Sequence, residues 1–267
     1  MISPEAAAAE ARLLDQAEID AAQMRQTTGE YPELTIDDAY AIQAAWQDIK
    51  LARGEVLVGH KIGLTSRAMQ ASMNITTPDS GFLTNKMVFA PDTELVAAHF
   101  CDPKLEVELA FALGTDLAGA DLSVDDILDA TDYVVPAIEL IAARSYRRDP
   151  DSSRTRTVID TIADNAADAG IIMGGERIAP RDIDLRWVSA LGSRNGVIEE
   201  TGVAAGVLGH PARGIAWLAR RYHEQGLTLE KGQIILAGSF TRPIDIRAGD
   251  DFHFDYGPMG AFGMRFT

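Results

Sequence analysis

Lys104-Leu-Glu-Val-Glu-Leu-Ala-Phe-Ala-Leu113 alternates. Leu105, Val107 and Leu109 point one way and Glu106 and Glu108 the other, as a period-two strand requires. Two carboxylates at i and i+2 then share one sheet face. A second apolar run, Tyr133-Val-Val-Pro-Ala-Ile-Glu-Leu-Ile141, carries a single acid, Glu139. Its neighbours Val134, Val135, Ala137, Ile138, Leu140 and Ile141 describe a strand covered on both faces, where a lone carboxylate needs a cation or a donor. Taken alone, Glu106 and Glu108 could be the wet face of a half-buried antiparallel strand. With Glu139 added, the three acids read better as an oxygen-only site for a hard divalent cation, Mg²⁺ or Mn²⁺.

Toward the N-terminus, residues 4–27 are rich in Ala, Glu, Gln and Met with leucines at helical spacing, which predicts a helix. Tyr31-Pro32 breaks it. Thr35 then caps a second helix, with Asp37 and Asp38 in its first turn and Ala39, Tyr40, Ile42, Ala45 and Trp46 on one side. That helix ends near Arg53-Gly54, and from Val56 the chain turns β-rich. The boundary separates a helical N-terminal arm, 1–54, from a body, 55–267. Val56-Leu-Val-Gly-His-Lys-Ile-Gly63 reads as a strand, after which Thr65-Ser66 caps a short helix through about Met73. Lys61 is either an exposed strand-end lysine or a site residue. Asp79, in Thr77-Pro78-Asp79-Ser80-Gly81, is equally open, because turn aspartates are usually structural.

Toward the C-terminus, Ser123-Val-Asp-Asp opens a short helix. After the Glu139 strand come Arg144, Arg147, Arg148, Arg154 and Arg156, five arginines in thirteen residues. They could grip an anionic substrate group bidentately, or pair with Asp149, Asp151 and a neighbouring subunit. Residues 160–170 have helical composition, with a cap at Asp160 and a stop at Gly170. Asn195-Gly196 is a hairpin signal between strands at 185–191 and 197–201. A helix runs over 211–226 from Pro211, and strands near 233–237, 250–256 and 256–267 finish the sheet.

The chain has 267 residues, 46% of them apolar, enough for a substantial core. A formal charge of −16 argues against nucleic acid or an anionic membrane as partner. One cysteine, Cys101, allows no intramolecular disulfide and suits a reducing, cytoplasmic setting. Met-Ile-Ser-Pro-Glu lacks the basic and apolar regions of a signal peptide. No phosphate loop, dinucleotide fingerprint, zinc spacing or nucleophile elbow occurs, which leaves nucleotide hydrolysis, hydride transfer and serine-type catalysis without support.

Six stretches stand in order along the chain: Gly59-His-Lys-Ile-Gly-Leu-Thr-Ser66, Leu105-Glu-Val-Glu-Leu109, Pro136-Ala-Ile-Glu-Leu140, Asp160-Thr-Ile-Ala-Asp-Asn165, Arg194-Asn-Gly-Val-Ile-Glu-Glu-Thr-Gly202 and Gly238-Ser-Phe-Thr-Arg-Pro243. Through them the chain resembles the hydratase/decarboxylase family of aromatic meta-cleavage pathways, a branch of the fumarylacetoacetate hydrolase superfamily. The resemblance implies an α+β fold, a mixed rolled β-sandwich with the helical arm in front of a catalytic domain at 55–267. It implies that Glu106, Glu108 and Glu139 hold Mg²⁺ or Mn²⁺ and that Lys61 and Asp79 are catalytic. Ser239 and Thr65 would then lie near the substrate carboxylate. It further implies a cytoplasmic homo-oligomer, a pentamer or decamer, acting in aromatic catabolism such as homoprotocatechuate breakdown. The implied reaction is metal-dependent hydration of an unsaturated 2-oxo acid, a seven-carbon dioate whose far carboxylate would be met by Arg154 or Arg156. Hydration of a five-carbon dienoate and decarboxylation of a vinylogous 2-oxo acid would use the same centre. An oligomeric scaffold with solvated acids is the non-enzymatic reading, and it would gain no stability from Mg²⁺.

Overall fold

A computed structural model describes every residue except 73 and 74. Ser3 opens α1 (Pro4–Asp20), its hydroxyl accepting from the Ala6 amide, with proline in the first turn where no amide is needed. The expected helix over 4–27 is shorter, because Ala21 takes a left-handed conformation and the chain turns away. After α2 (Thr27–Glu30), Thr35 and Asp38 form a reciprocal capping box at the start of α3 (Ile36–Ala52), as the sequence predicts.

The body then runs β1 (Leu57–Gly63), α4 (Arg67–Ser72), β2 (Asp79–Thr84), β3 (Val88–Phe89), β4 (Thr93–Leu95), β5 (Lys104–Leu113), α5 (Val124–Ala130) and β6 (Thr131–Ile141). It continues through α6 (Val158–Ala163), β7 (Asp168–Met173), β8 (Ser189–Arg194), β9 (Val197–Val203), α7 (Ala212–Glu224), β10 (Ile234–Leu236), β11 (Ile244–Asp245), β12 (Asp251–Asp255) and β13 (Ala261–Phe266). The expected end of the fourth helix at Met73 lies outside the described residues. One mixed sheet has the order β2-β1-β10-β5-β6-β7-β3, with β11 also on β5, and a second has the order β4-β13-β12-β8-β9.

The alternation in β5 divides the molecule. Its odd residues Leu105, Val107, Leu109 and Phe111 join Val134, Ile138 and Leu140 of β6 and meet Phe252, Phe254, Phe262, Met264 and Phe266 of the second sheet. Its even side, with Ala110 beside Val135 and Ala137, lies against α1 and α3 through Ala11, Leu14, Ile42 and Trp46. The result is the mixed, two-sheet α+β architecture that the motifs imply, with N-terminal helices covering the large sheet. Among the described residues no helix is long and apolar enough to cross a membrane.

Two local expectations are corrected. Thr157, not Asp160, caps α6, because the Asp160 carboxylate is taken by the Thr157 amide and by the amide and hydroxyl of Thr28. The helix stops at Ala163, and residues 168–173 pair with β6 as a strand, tertiary pairing overriding helical composition. In 185–191 a single 3₁₀ turn, Leu185–Trp187, precedes β8, since the Asp184 side chain accepts from the Arg186 amide. The hairpin itself forms as expected, with Asn195 and Gly196 both at positive φ.

Candidate metal centre and active site

In the antiparallel β5–β6 ladder Glu106 stands directly opposite Glu139, and Glu108 follows on the same face opposite Ala137. One carboxylate oxygen from each of the three lies within 4.8 Å of the other two. Glu108 and Glu139 are fully buried, so the wet-strand reading fails. Like charges directly opposite on paired strands repel. Burial, and then the facing Glu139, push the Glu106 carboxyl up to about 7 and that of Glu108 well above its ordinary range. Glu108 Oε2 accepts from the Gly238 amide at 2.8 Å, whereas Glu108 Oε1 and Glu139 Oε2 have no hydrogen-bond partner among the described residues. Three converging carboxylates, with orphaned oxygens on Glu108 and Glu139 and raised proton affinity on Glu106 and Glu108, are a donor set that fits a hard divalent cation.

Glu106 opens onto a cavity of about 570 Å³ whose wall also includes Lys61, Thr65, Asp79 and Ser239. Lys61 is buried inside β1, which ends its reading as an exposed strand-end residue. Its Nζ lies 3.0 Å from Glu139 Oε1 and donates to the Ala166 carbonyl at 2.9 Å. Burial alone would lower its pKa, but Glu139, Asp79, Glu106 and Asp168 outweigh that effect and hold the ammonium charged. Asp79 begins β2 opposite Gly63, where any Cβ would collide with its Oδ1. Burial raises the Asp79 carboxyl, opposed by Lys61, and Oδ1 has no partner among the described residues.

Thr65 is buried under Gly238, whose φ of +115° and contact with the Thr65 side chain leave no room for a Cβ. Ser239 lines the cavity as expected, but its hydroxyl is engaged by backbone, 3.0 Å from the Thr241 carbonyl and 3.3 Å from that of Val107.

The arginines separate. Arg144 is buried on Asp164 and over the Trp46 ring. Arg154 stands beside the α2 end of the arm, where its carbonyl accepts from Gln26, and does not line the cavity. Arg156 is buried behind Thr161, a cavity residue whose hydroxyl accepts from its Nε at 2.9 Å. Its Nη1 sits 3.3 Å from Asp164, and neither Nη makes a hydrogen bond among the described residues. Arg147 reaches the cavity wall directly, with Nε on Asp102. Spacing in an arginine-dense segment could not single it out. Sequence reasoning also missed Ala166 and Ala167 as cavity wall, since the stretch that holds them reads as helix.

A large sheet that carries a three-carboxylate centre on the face turned away from a second sheet defines a class. Residues 49–266 match the family described as Fumarylacetoacetate (FAA) hydrolase C-terminal, and the chain belongs to that family. It is 55% identical over 257 residues to 2-oxo-hept-4-ene-1,7-dioate hydratase of Escherichia coli, with 96% of each chain covered. It is 34% identical over 255 residues to 4-oxalocrotonate decarboxylase of Pseudomonas putida, covering 95% of this chain and 94% of the other. The solved 4-oxalocrotonate decarboxylase from Pseudomonas putida G7, complexed with magnesium and adipate, superposes with a TM-score of 0.95 at 31% identity over 100% of this chain and 99% of that one.

Proposed function

We propose that the protein is a hydro-lyase that adds water to 2-oxo-hept-4-ene-1,7-dioate, through its 2-hydroxydiene form, to give 4-hydroxy-2-oxoheptane-1,7-dioate in aromatic catabolism. The observation that carries this reading is the Glu106–Glu108–Glu139 cluster opening onto a cavity that also holds Lys61 and Asp79. The hydratase of Escherichia coli supplies the substrate class. A relative's complex with magnesium and adipate supports both the divalent ion, Mg²⁺ or Mn²⁺, and a dicarboxylate guest.

A bound divalent ion would supply Lewis-acid stabilisation of negative charge on the C2 oxygen of a 2-oxo acid. The remaining work falls to the chain. Lys61, held charged, faces the substrate carboxylate and steadies the charge that develops beside it. Asp79, with one free oxygen and a raised proton affinity, orients the water that adds at C4 and handles its proton. Thr65 and Ser239 shape the wall where the 2-oxo acid lies, and Arg156, behind Thr161, answers the distal carboxylate. Residues 55–267 form the catalytic domain and 1–54 the helical arm.

The chain assembles as a cytoplasmic homo-oligomer, a pentamer or decamer. The exposed apolar side chains Trp187, Leu191, Val197, Ile198 and Val203 on and beside β8 and β9 support burial against another copy. Following loss of the conjugated dienol absorbance with and without Mg²⁺, with the product identified by mass, tests the activity. Release of CO₂ in place of water addition would move the protein to the decarboxylases. No Mg²⁺-dependent loss of absorbance would end the enzymatic reading.

A further inference from the structure

Asn165, Ala166 and Ala167 hold φ values of 50°, 50° and 65°, three consecutive left-handed residues without a glycine. Asparagine visits this region readily, but alanine does not, and such strain persists only where the surroundings over-determine it. Here they do so from two sides. The Asn165 side chain takes both backbone groups of one β2 residue: its Oδ1 accepts from the Phe82 amide at 2.8 Å, and its Nδ2 donates to the Phe82 carbonyl at 3.0 Å. Gly81 permits that approach, since a Cβ there would stand 2.6 Å from the Asn165 carbonyl oxygen. On the other flank Arg144 donates to the carbonyls of Asp164 at 2.8 Å and Asp168 at 2.9 Å.

The turn so held delivers one group to the active cavity. The Ala166 carbonyl accepts from Lys61 Nζ at 2.9 Å, and Ala166 and Ala167 form part of the cavity wall. Lys61 is a long side chain that Glu139, 3.0 Å away, draws toward the carboxylate cluster. The Ala166 carbonyl holds the same ammonium from the side of the left-handed turn. The strand that receives the clamp at Phe82 is also the one that begins with Asp79.

We infer that Asn165 is a positioning residue: by tying the left-handed turn to β2 it fixes the Ala166 carbonyl against the Lys61 ammonium. It thereby sets where that ammonium stands relative to Glu139 and Asp79. The inference rests on the proposed part of Lys61 in the reaction.

The test is a double-mutant cycle between Asn165→Gly and Lys61→Ala, read as kcat and KM on the unsaturated 2-oxo dioate with Mg²⁺. Glycine takes the left-handed turn without strain but removes both bonds to Phe82. Asn165→Gly is expected to lower kcat by roughly 10–100-fold, the scale of a displaced catalytic group, with KM held within about twofold. In the Lys61→Ala background the same change should cost no more than about twofold. Independent effects that multiply, or an unchanged kcat, would overturn the inference. If Asn165→Gly does not fold, Asn165→Asp carries the cycle, since aspartate tolerates the turn and keeps the acceptor for the Phe82 amide. A second readout needs no turnover: reductive methylation of Lys61, followed by peptide mass spectrometry, should run faster in the variant than in the parent. Equal labelling rates overturn the clamp. A parent that hydrates no 2-oxo acid sinks the functional reading instead, and the labelling comparison still judges Asn165.

Discussion

Replacing Glu106 by glutamine keeps the side-chain volume and removes one charge, and its effect on stability should change sign with Mg²⁺. In the metal-free protein, burial and the facing Glu139 push the Glu106 carboxyl from 4.5 up to about 7. A carboxyl raised on folding contributes stability below its unfolded pKa and loses that contribution as pH climbs through its folded one. The window therefore runs from 4.5 to about 7. Each pKa unit is about 1.4 kcal/mol, so ionised Glu106 costs the metal-free fold at most on the order of 3 kcal/mol above that window. The figure is an upper bound, because Glu106 keeps some contact with water in the cavity. Glutamine does not titrate. The variant should thus match the parent near pH ~4.5 and melt up to roughly 5–10 °C higher at pH ~8, in chelator.

With Mg²⁺ the order should reverse. A ligand that binds only the native state stabilises by about 4.1 kcal/mol at a thousandfold excess over its dissociation constant, more than ionised Glu106 costs the metal-free fold. The parent should gain on that scale at pH ~8, and the variant, short of one charged ligand, little or nothing. The assay is thermal unfolding of both proteins, with and without Mg²⁺, at the two pH values. A glutamine variant less stable than the parent in chelator at the higher pH would refute the like-charge account. Equal stabilisation of both by Mg²⁺ would remove Glu106 from the centre.

Lys61→Ala should cut turnover by at least roughly 10²-fold while calorimetry finds Mg²⁺ affinity nearly unchanged, and wild-type kinetics would reduce Lys61 to a structural ion pair. Gly238→Ala places a Cβ on the Thr65 side chain at a φ of +115° and disturbs the amide that binds Glu108. It should destabilise the fold by more than about 1 kcal/mol and weaken Mg²⁺ binding, and a stable variant with parental affinity would refute this. The cavity should prefer the seven-carbon dioate over a five-carbon monoacid by roughly 10²-fold in kcat/KM, the size of a desolvated charge-assisted hydrogen bond. Arg156→Ala should erase that preference without touching the monoacid, and a preference that survives would leave Arg156 as a partner of Asp164 alone.

What was legible in the sequence was whatever depends on period or on a strand's own neighbours. Alternation exposed the Glu106–Glu108 pair, and the apolar setting of Glu139 exposed its burial. Capping chemistry found the starts of the helices at Thr35 and Ser123. What was not legible depends on partners distant in sequence. Asp160 looks like a cap until Thr28, 132 residues away, is seen on its carboxylate. Local composition leaves Lys61 and Asp79 open between a bland role and a place in the site, and only the pairing of β1 with β2 and of β1 with β10 buries them beside β5. The arginines share one composition and meet different fates, set by Asp164, Asp102 and the arm.

The alternation of β5 also explains why fold and site cannot be separated in this chain. Slipping a strand by one residue would turn Leu105, Val107, Leu109 and Phe111 out of the sandwich and drive Glu106 and Glu108 between the sheets, where nothing could neutralise them. The hydrophobic face therefore holds the carboxylates in register with Glu139. The irregularities in the neighbouring ladders respect that constraint: β5 and β6 shift only at Ala112/Leu113, beyond the cluster, and β6 and β7 shift at Leu140/Ile141, after Glu139 has paired. That second shift makes Asp168, not Ala169, the partner of Ile141 at the foot of the left-handed turn. The apolar core thus does more than hold the molecule folded. By fixing one register it sets the spacing of three like charges that would otherwise move apart.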